Sequence, residues 1–233
     1  MNFRNPSNLI SDDKQFNLKQ AISYQKDWAT LISTEDTGAK VERIAGIDIA
    51  YDLTANKAYA VVVVLDAKSL AIVEIQKATT EIQVPYRSGF LSFREVPAIT
   101  VAFDQLSRKP DLIICDGQGR AHPRRFGLAC HLGLIYDLPT IGCGKTRLFG
   151  SATQPGTARG DLSYLYDKHD NIIGAVLRTR AGVNPLYISV GHKISLASAC
   201  DWILRLAPKY RLPETTRLAD RLAYEYKINK LAQ

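Results

Sequence analysis

The chain has 233 residues, with 30 Lys and Arg against 23 Asp and Glu for a formal net charge of +7. Its 46% hydrophobic and 23% charged residues, with 15 Gly and 10 Pro, exclude disordered, collagen-like and low-complexity classes, and the length suffices for a substantial core. The longest apolar run, Ala58 to Leu65, lies between Lys57 and Asp66 and falls far short of the roughly 20 residues a membrane span needs. MNFRNPSNLISDDKQ has no apolar stretch of signal-peptide length, so the chain is expected to stay in the cytosol, with no membrane partner.

From the N-terminus, Ser11, Asp12 and Asp13 are potential helix caps, and Leu18, Ile22, Trp28 and Leu31 follow at near-helical spacing. Three apolar runs come next, Ile44 to Tyr51, Tyr59 to Leu65 and Leu70 to Ile75. Their short polar connections, Asn56-Lys57 and Asp66-Ala67-Lys68-Ser69, predict an antiparallel three-strand meander. A helix is predicted over about Phe93 to Leu106 and a buried strand at Leu112 to Cys115. A helix over Pro123 to Tyr136 and strands at Thr140 to Cys143, Ile172 to Leu177 and Leu186 to Val190 follow. Ser195 should cap a helix through Leu206, and a last helix starts after Pro213-Glu214. The pattern implies one α/β domain over residues 1–233, with a mixed sheet flanked by helices.

The four cysteines form no CxxC and have no nearby histidine, so they read as small buried hydrophobes and not as zinc ligands. Positive charge points weakly to a polyanion. Lys and Arg are densest at Arg120 to Arg125 and from Lys209 to Lys230.

Acids inside apolar strands are more informative. In IAGIDIAY, Asp48 shares a strand face with Ile44, Gly46 and Ala50, while Ala45, Ile47, Ile49 and Tyr51 take the other. A carboxylate centred there must be paired, hydrogen-bonded or bound to a cation, because an isolated buried charge costs several kcal/mol. Asp116 follows LIIC directly and precedes Gly117-Gln118-Gly119, at the strand end where open α/β sheets place ligands; a turn-initiating Asp-Gly is the structural alternative. Glu95 lies in FLSFREVPAI, where an early helical turn would also suit it. Three acids on three segments could form an oxygen cage for Mg²⁺ or Mn²⁺, and paired ions can clamp a phosphodiester displacement. Competing motifs fail: Gly144-Lys145-Thr146 lacks the first glycine of a phosphate loop, where Pro139 stands. Ser189 lacks the leading glycine of a nucleophile elbow, where Tyr187 stands.

The segments AGIDIAYD, PYRSGFLSFRE, ICDGQGRAHPRRFGLACHLGLIYDLPTIGCGKTRL and YRLPETTRLAD run in order from about residue 45 to 220. Together they closely resemble the endonuclease V (deoxyinosine 3′ endonuclease) family. The resemblance implies a ribonuclease H-like fold and Mg²⁺-dependent hydrolysis, with Mn²⁺ as a substitute and no small-molecule cofactor. The implied cut falls at the second phosphodiester 3′ to a deoxyinosine and leaves 3′-hydroxyl and 5′-phosphate ends. By motif it makes Asp48, Glu95 and Asp116 metal ligands, with Asp220 as a fourth, though a surface helix acid is its structural alternative. It makes His122 a residue beside the metal and Lys145 a phosphate- or water-steadying ammonium. Pro85 and Tyr86 become a wedge that enters the duplex, and Gly89, Leu91 and Gly117 a backbone-lined pocket for the extruded base. Ordinary structural roles are the alternatives for each: a core histidine, a solvated lysine, an exposed loop tyrosine.

The wedge loop reads Pro85-Tyr86-Arg87-Ser88-Gly89 where relatives often have PYIPG, which implies a looser tip with an added charge. Gln118 stands where His is frequent, and Thr215 replaces a proline; neither change touches the acids. Inosine-containing DNA is the implied partner, with an inosine-specific endoribonuclease or a non-catalytic nucleic-acid binding module as alternatives. Arg120, Arg124, Arg125, Lys145 and Arg147 are expected to form a positive groove around the acidic centre.

Overall fold

The computed structural model describes residues 3–4, 9–10 and 15–232. Helix α1 (Leu18–Ala29) is capped by Asn17, whose side chain accepts from the Gln20 N–H at 3.0 Å. The expected caps Ser11, Asp12 and Asp13 lie outside the described residues. Leu31 falls beyond the helix end and is 46% exposed, so it does not continue the buried stripe formed by Ala21, Gln25 and Trp28.

Strands β1 (Arg43–Asp52), β2 (Lys57–Asp66) and β3 (Ile72–Glu81) form the antiparallel meander. Asn56 and Leu70 make its two turns in left-handed backbone, and Asp66 closes the second turn by accepting from the Ser69 N–H at 2.7 Å. This turn moves the start of β3 from the expected Leu70 to Ile72. Helix α2 (Leu91–Phe103) is followed by β4 (Leu112–Cys115), α3 (Leu128–Tyr136) and β5 (Thr140–Gly144). The expected helical start at Pro123 is overturned. Arg125 adopts left-handed φ, and Gly127 folds back to donate to Gly119 O at 3.0 Å, so residues 123–127 are irregular.

Strands β6 (Leu162–Tyr166), β7 (Ile172–Leu177) and β8 (Leu186–His192) precede α4 (Leu196–Leu206), capped by Ser195, and α5 (Glu214–Leu231). β6 was not legible in the sequence: it is an edge strand in which only Leu165 is buried, so it lacks a continuous apolar run. The eight strands form one sheet in the order β3-β2-β1-β4-β5-β8-β7-β6. Only β1–β4 and β4–β5 are parallel; β8 adds to β5 antiparallel and starts a second antiparallel wing.

The two faces of β1 divide as alternation requires. Ala45, Ile47 and Ile49 enter a core with Val96 and Ile99 of α2 and Leu128 and Leu132 of α3. Ile44 joins the core beneath α4 on the other face, while Val63 and Leu65 of β2 meet Leu218 and Ala219 of α5. Gly46 lets α5 approach this face, since a Cβ there would lie 2.2 Å from Thr215 O. All four cysteines are free and buried, as expected for small apolar side chains. Among the described residues no helix is long and apolar enough to cross a membrane.

Candidate active site

The parallel strands converge the acids. Ile47 pairs with Cys115 in the β1–β4 register, so Asp48 and Asp116 are each one residue further along on neighbouring strands. Lys145 follows directly on β5, the next parallel strand, at the same sheet edge. Two helices add their acids from opposite faces: Glu95 from an early turn of α2, as the sequence suggested, and Asp220 from α5.

Lys145 Nζ lies 2.5 Å from Asp116 Oδ2 and 3.8 Å from Asp220 Oδ1. Burial lowers the lysine's pKa, but the hydrogen bond to Asp116 and the charges of Asp116, Asp220 and Asp48 outweigh it and hold the ammonium above its ordinary value. Asp48 accepts from the Ile49 N–H at 2.9 Å, yet burial first, and then the Asp116 charge, push its carboxyl up to about 7, with Asp220 adding to the rise. Glu95 is pushed up to about 8, chiefly by desolvation and next by Asp48. Tyr51 donates to Glu95 Oε1 at 3.1 Å, and the Arg94 guanidinium stacks over the Tyr51 ring at 4.5 Å. The acids therefore form one electrostatic unit with too little positive charge to satisfy it.

Among the described residues no three Asp, Glu, His or Cys side chains are gathered tightly enough to enclose a cation as they stand; the Lys145 ammonium supplies the counter-charge instead. The donor chemistry fits a hard divalent cation. Carboxylate oxygens on four elements surround one strand edge, and two of the carboxyls are raised, first by burial and then by neighbouring carboxylate charge, a penalty on ionisation that a bound cation would offset.

A cleft of about 400 Å³ opens over Asp48, Asp116 and Lys145. Tyr86, Gly89, Leu91, Gly117 and His122 also line it, whereas Glu95, Asp220 and Pro85 are not on its wall. Tyr86 is 70% exposed at the tip of a loop closed by the Phe90 N–H donating to Arg87 O at 3.0 Å. His122 is buried, and its ring nitrogens bond the Gly89 and Arg124 backbone, not the acids. The Arg124 N–H donates to its Nδ1 at 3.2 Å, so the proton is on Nε2, which donates to Gly89 O at 3.0 Å. Desolvation, reinforced by Arg124, lowers its pKa to about 4, so the imidazole is neutral and anchors the turn.

The positive groove differs from the expected set. Arg87, Lys145 and Arg147 line the cleft. Arg124 turns inward to Gly89, Arg125 pairs with Asp167, and Arg120 borders a separate hollow with Thr34 and Ile173. The sequence reading also passed over Tyr51, Arg211 and Gln25. Arg211 donates to Lys145 O at 2.9 Å and Pro185 O at 3.0 Å, fixing the Lys145 backbone from the segment before α5. Tyr51 was signalled by its place on the α2 face of the acid-bearing strand; Gln25 was signalled by polarity within the buried stripe of α1.

Comparison with known proteins agrees with this architecture. The family model for endonuclease V matches residues 26–221. An endonuclease V of Trichormus variabilis is 46% identical over 207 residues, covering 88% of this chain and 93% of that protein. The crystal structure of an endonuclease V from Streptomyces avermitilis is 40% identical with a TM-score of 0.88, covering 96% of this chain and 98% of that one. A Ciona intestinalis endonuclease V, solved with a 24mer DNA containing an inosine followed by a ribo-adenosine, is 24% identical with a TM-score of 0.81 and covers 92% of this chain and 98% of that one. The fold is ribonuclease H-like, and its class is that of endonucleases. The chain belongs to the endonuclease V family.

Proposed function

We propose that the chain, acting as one domain, hydrolyses the second phosphodiester bond 3′ to a deoxyinosine and leaves 3′-hydroxyl and 5′-phosphate ends. The observation that carries this reading is the placing of Asp48, Asp116 and Lys145 in the same cleft as an exposed tyrosine loop and a glycine-bearing turn. Asp48, Asp116, Glu95 and Asp220 would hold the divalent cation, Mg²⁺ with Mn²⁺ as a substitute. When bound, it supplies Lewis-acid polarisation and charge neutralisation at the scissile phosphate.

The chain's own groups do the remaining work. Tyr51 holds one oxygen of Glu95 and fixes that carboxylate's orientation. Lys145, tethered to Asp116 in the resting protein, is a fixed positive charge available to phosphate oxygens as negative charge develops. Tyr86 fills the stack vacated by the extruded base, and Gly89, Leu91 and Gly117 accept that base. An added Cβ at Gly117 would meet only ordinary contacts, at 3.6 Å from Leu128, so protein packing does not require a glycine there, which supports its reading as space for the incoming base. Inosine as the target follows from family membership together with this pocket; the Ciona protein's inosine-containing ligand is consistent with it.

The test is cleavage of labelled duplexes carrying one deoxyinosine or one riboinosine, in Mg²⁺ and in EDTA, with the cut mapped to the nucleotide. A Mg²⁺-dependent nick one bond removed from deoxyinosine is expected. Metal-independent cutting, or no cutting of either substrate, overturns the reading; preference for riboinosine moves the activity to RNA.

A further inference from the structure

Helix α1 buries a stripe of three residues, Ala21, Gln25 and Trp28, in which Gln25 is polar and 1% exposed. A buried amide persists only where its hydrogen bonds are met, and here the partners are specific. Gln25 Nε2 donates to Gly89 O at 3.0 Å and to Phe126 O at 3.2 Å, while its Oε1 accepts from Arg124 Nε at 2.5 Å. Both acceptors are carbonyls and the one donor is a guanidinium, which fixes the orientation of the amide.

Gly89 O is the centre of the network. It accepts from Gln25 Nε2, from His122 Nε2 at 3.0 Å and from Arg124 Nη2 at 2.7 Å, three donors on one carbonyl. Gly89 has φ +80°, a left-handed conformation, and it closes the loop that carries Tyr86. The Arg124 guanidinium also lies over the neighbouring Phe90 ring at 4.4 Å. The turn between the Tyr86 loop and α2 is thus held by side chains from α1 and from the loop after β4, although neither element is adjacent to it in sequence.

We infer that Gln25 is a positioning residue for base recognition: with Arg124 and His122 it clamps the Gly89 carbonyl and fixes the Tyr86 loop and the pocket turn relative to the acid-bearing strand ends. The inference rests on the pocket reading given above. Gln25 lines the cleft, and its side chain bonds Gly89, Phe126 and Arg124 and none of the acids, so its loss should disturb recognition and leave hydrolysis of bound substrate nearly intact. Ala removes all three of these hydrogen bonds and Glu the two donated ones; the part of that loss felt at the pocket turn corresponds to about a tenfold weakening.

The experiment compares the parent with Gln25→Ala and Gln25→Glu. Glu keeps the side-chain shape and the acceptor for Arg124 but turns an acceptor oxygen toward the two carbonyls; exchange outside residues 84–91 matching the parent identifies the variant that is folded, and either one suffices for the comparison. Amide exchange over residues 84–91 should speed up in both variants. KM for a deoxyinosine duplex should rise about tenfold with kcat within about twofold, and affinity for an undamaged duplex should not change. Unchanged exchange over 84–91, an unchanged KM, or a Glu variant that behaves like the parent overturns the inference. If the parent itself does not cut the deoxyinosine duplex, the pocket reading fails separately, and the exchange arm alone decides whether Gln25 holds the turn.

Discussion

Replacing Asp48 with Asn should make the metal-free protein more stable at alkaline pH while destroying cleavage. Asp48 is held at about 7 against an ordinary value of 3.8, first by burial and then by Asp116. Because the folded value lies above the unfolded one, the carboxyl's contribution to stability is complete below about pH 4 and is lost as the pH rises through about 7. At about 1.4 kcal/mol per pH unit, that interval caps the cost at roughly 4 kcal/mol. Relaxation and water entry around the ionised carboxylate recover part of that cost, so about 2 kcal/mol is the expected gain for Asn, equivalent to about 4–8 °C in Tm for a chain of this size. Asn keeps an acceptor for the Ile49 N–H, so that hydrogen bond is not a confounding loss. Urea unfolding in EDTA at pH 4 and pH 8.5 reads the effect directly. The gain should be large at pH 8.5 and nearly absent at pH 4. An Asn variant no more stable than the parent at pH 8.5, or equally stabilised at both pH values, would refute the claim that Asp48 sits in an under-neutralised acid cluster.

Three further outcomes follow from the same geometry. Gly89→Ala puts a Cβ 2.9 Å from Arg124 Nη2 at φ +80°, which costs roughly 1–2 kcal/mol in backbone strain alone; kcat/KM for a deoxyinosine duplex should fall at least about tenfold in steady-state assays. His122→Gln should lower activity without moving the pH–rate profile between pH 6 and 9, since the imidazole is already neutral there with its pKa near about 4; a profile that loses a limb contradicts its anchoring role. Binding should weaken with added salt, and Arg147→Ala should reduce the slope of log affinity against log salt by about one, because Arg147 lines the cleft.

Much of the fold was legible because strand periodicity and buried runs are local signals. β4, β7 and α4 fall where short apolar runs and the Ser195 cap placed them, and the division of β1 into two faces followed from period two alone. What was not legible depends on partners distant in sequence. Residues 123–127 look helical but are held open by Arg125 and by the approach of Gly127 to Gly119. The acids were legible as charges in apolar strands, and the parallel register of β1 and β4 explains why Asp48 and Asp116 meet. The roles of Arg124 and His122 were not, because a basic or imidazole side chain near an acid motif does not reveal that it turns toward Gly89 O.

The most direct test sets the parent beside Asp116→Asn on one labelled deoxyinosine duplex, measuring binding and Mg²⁺-dependent cutting in the same samples. Asn removes the charge on which Lys145 rests at 2.5 Å but leaves the Tyr86 loop and the Gly89 turn untouched. Binding should persist within about threefold of the parent while cutting falls by at least about a thousandfold. Cutting at the parental rate would contradict the assignment of hydrolysis to the acids at the ends of the parallel strands.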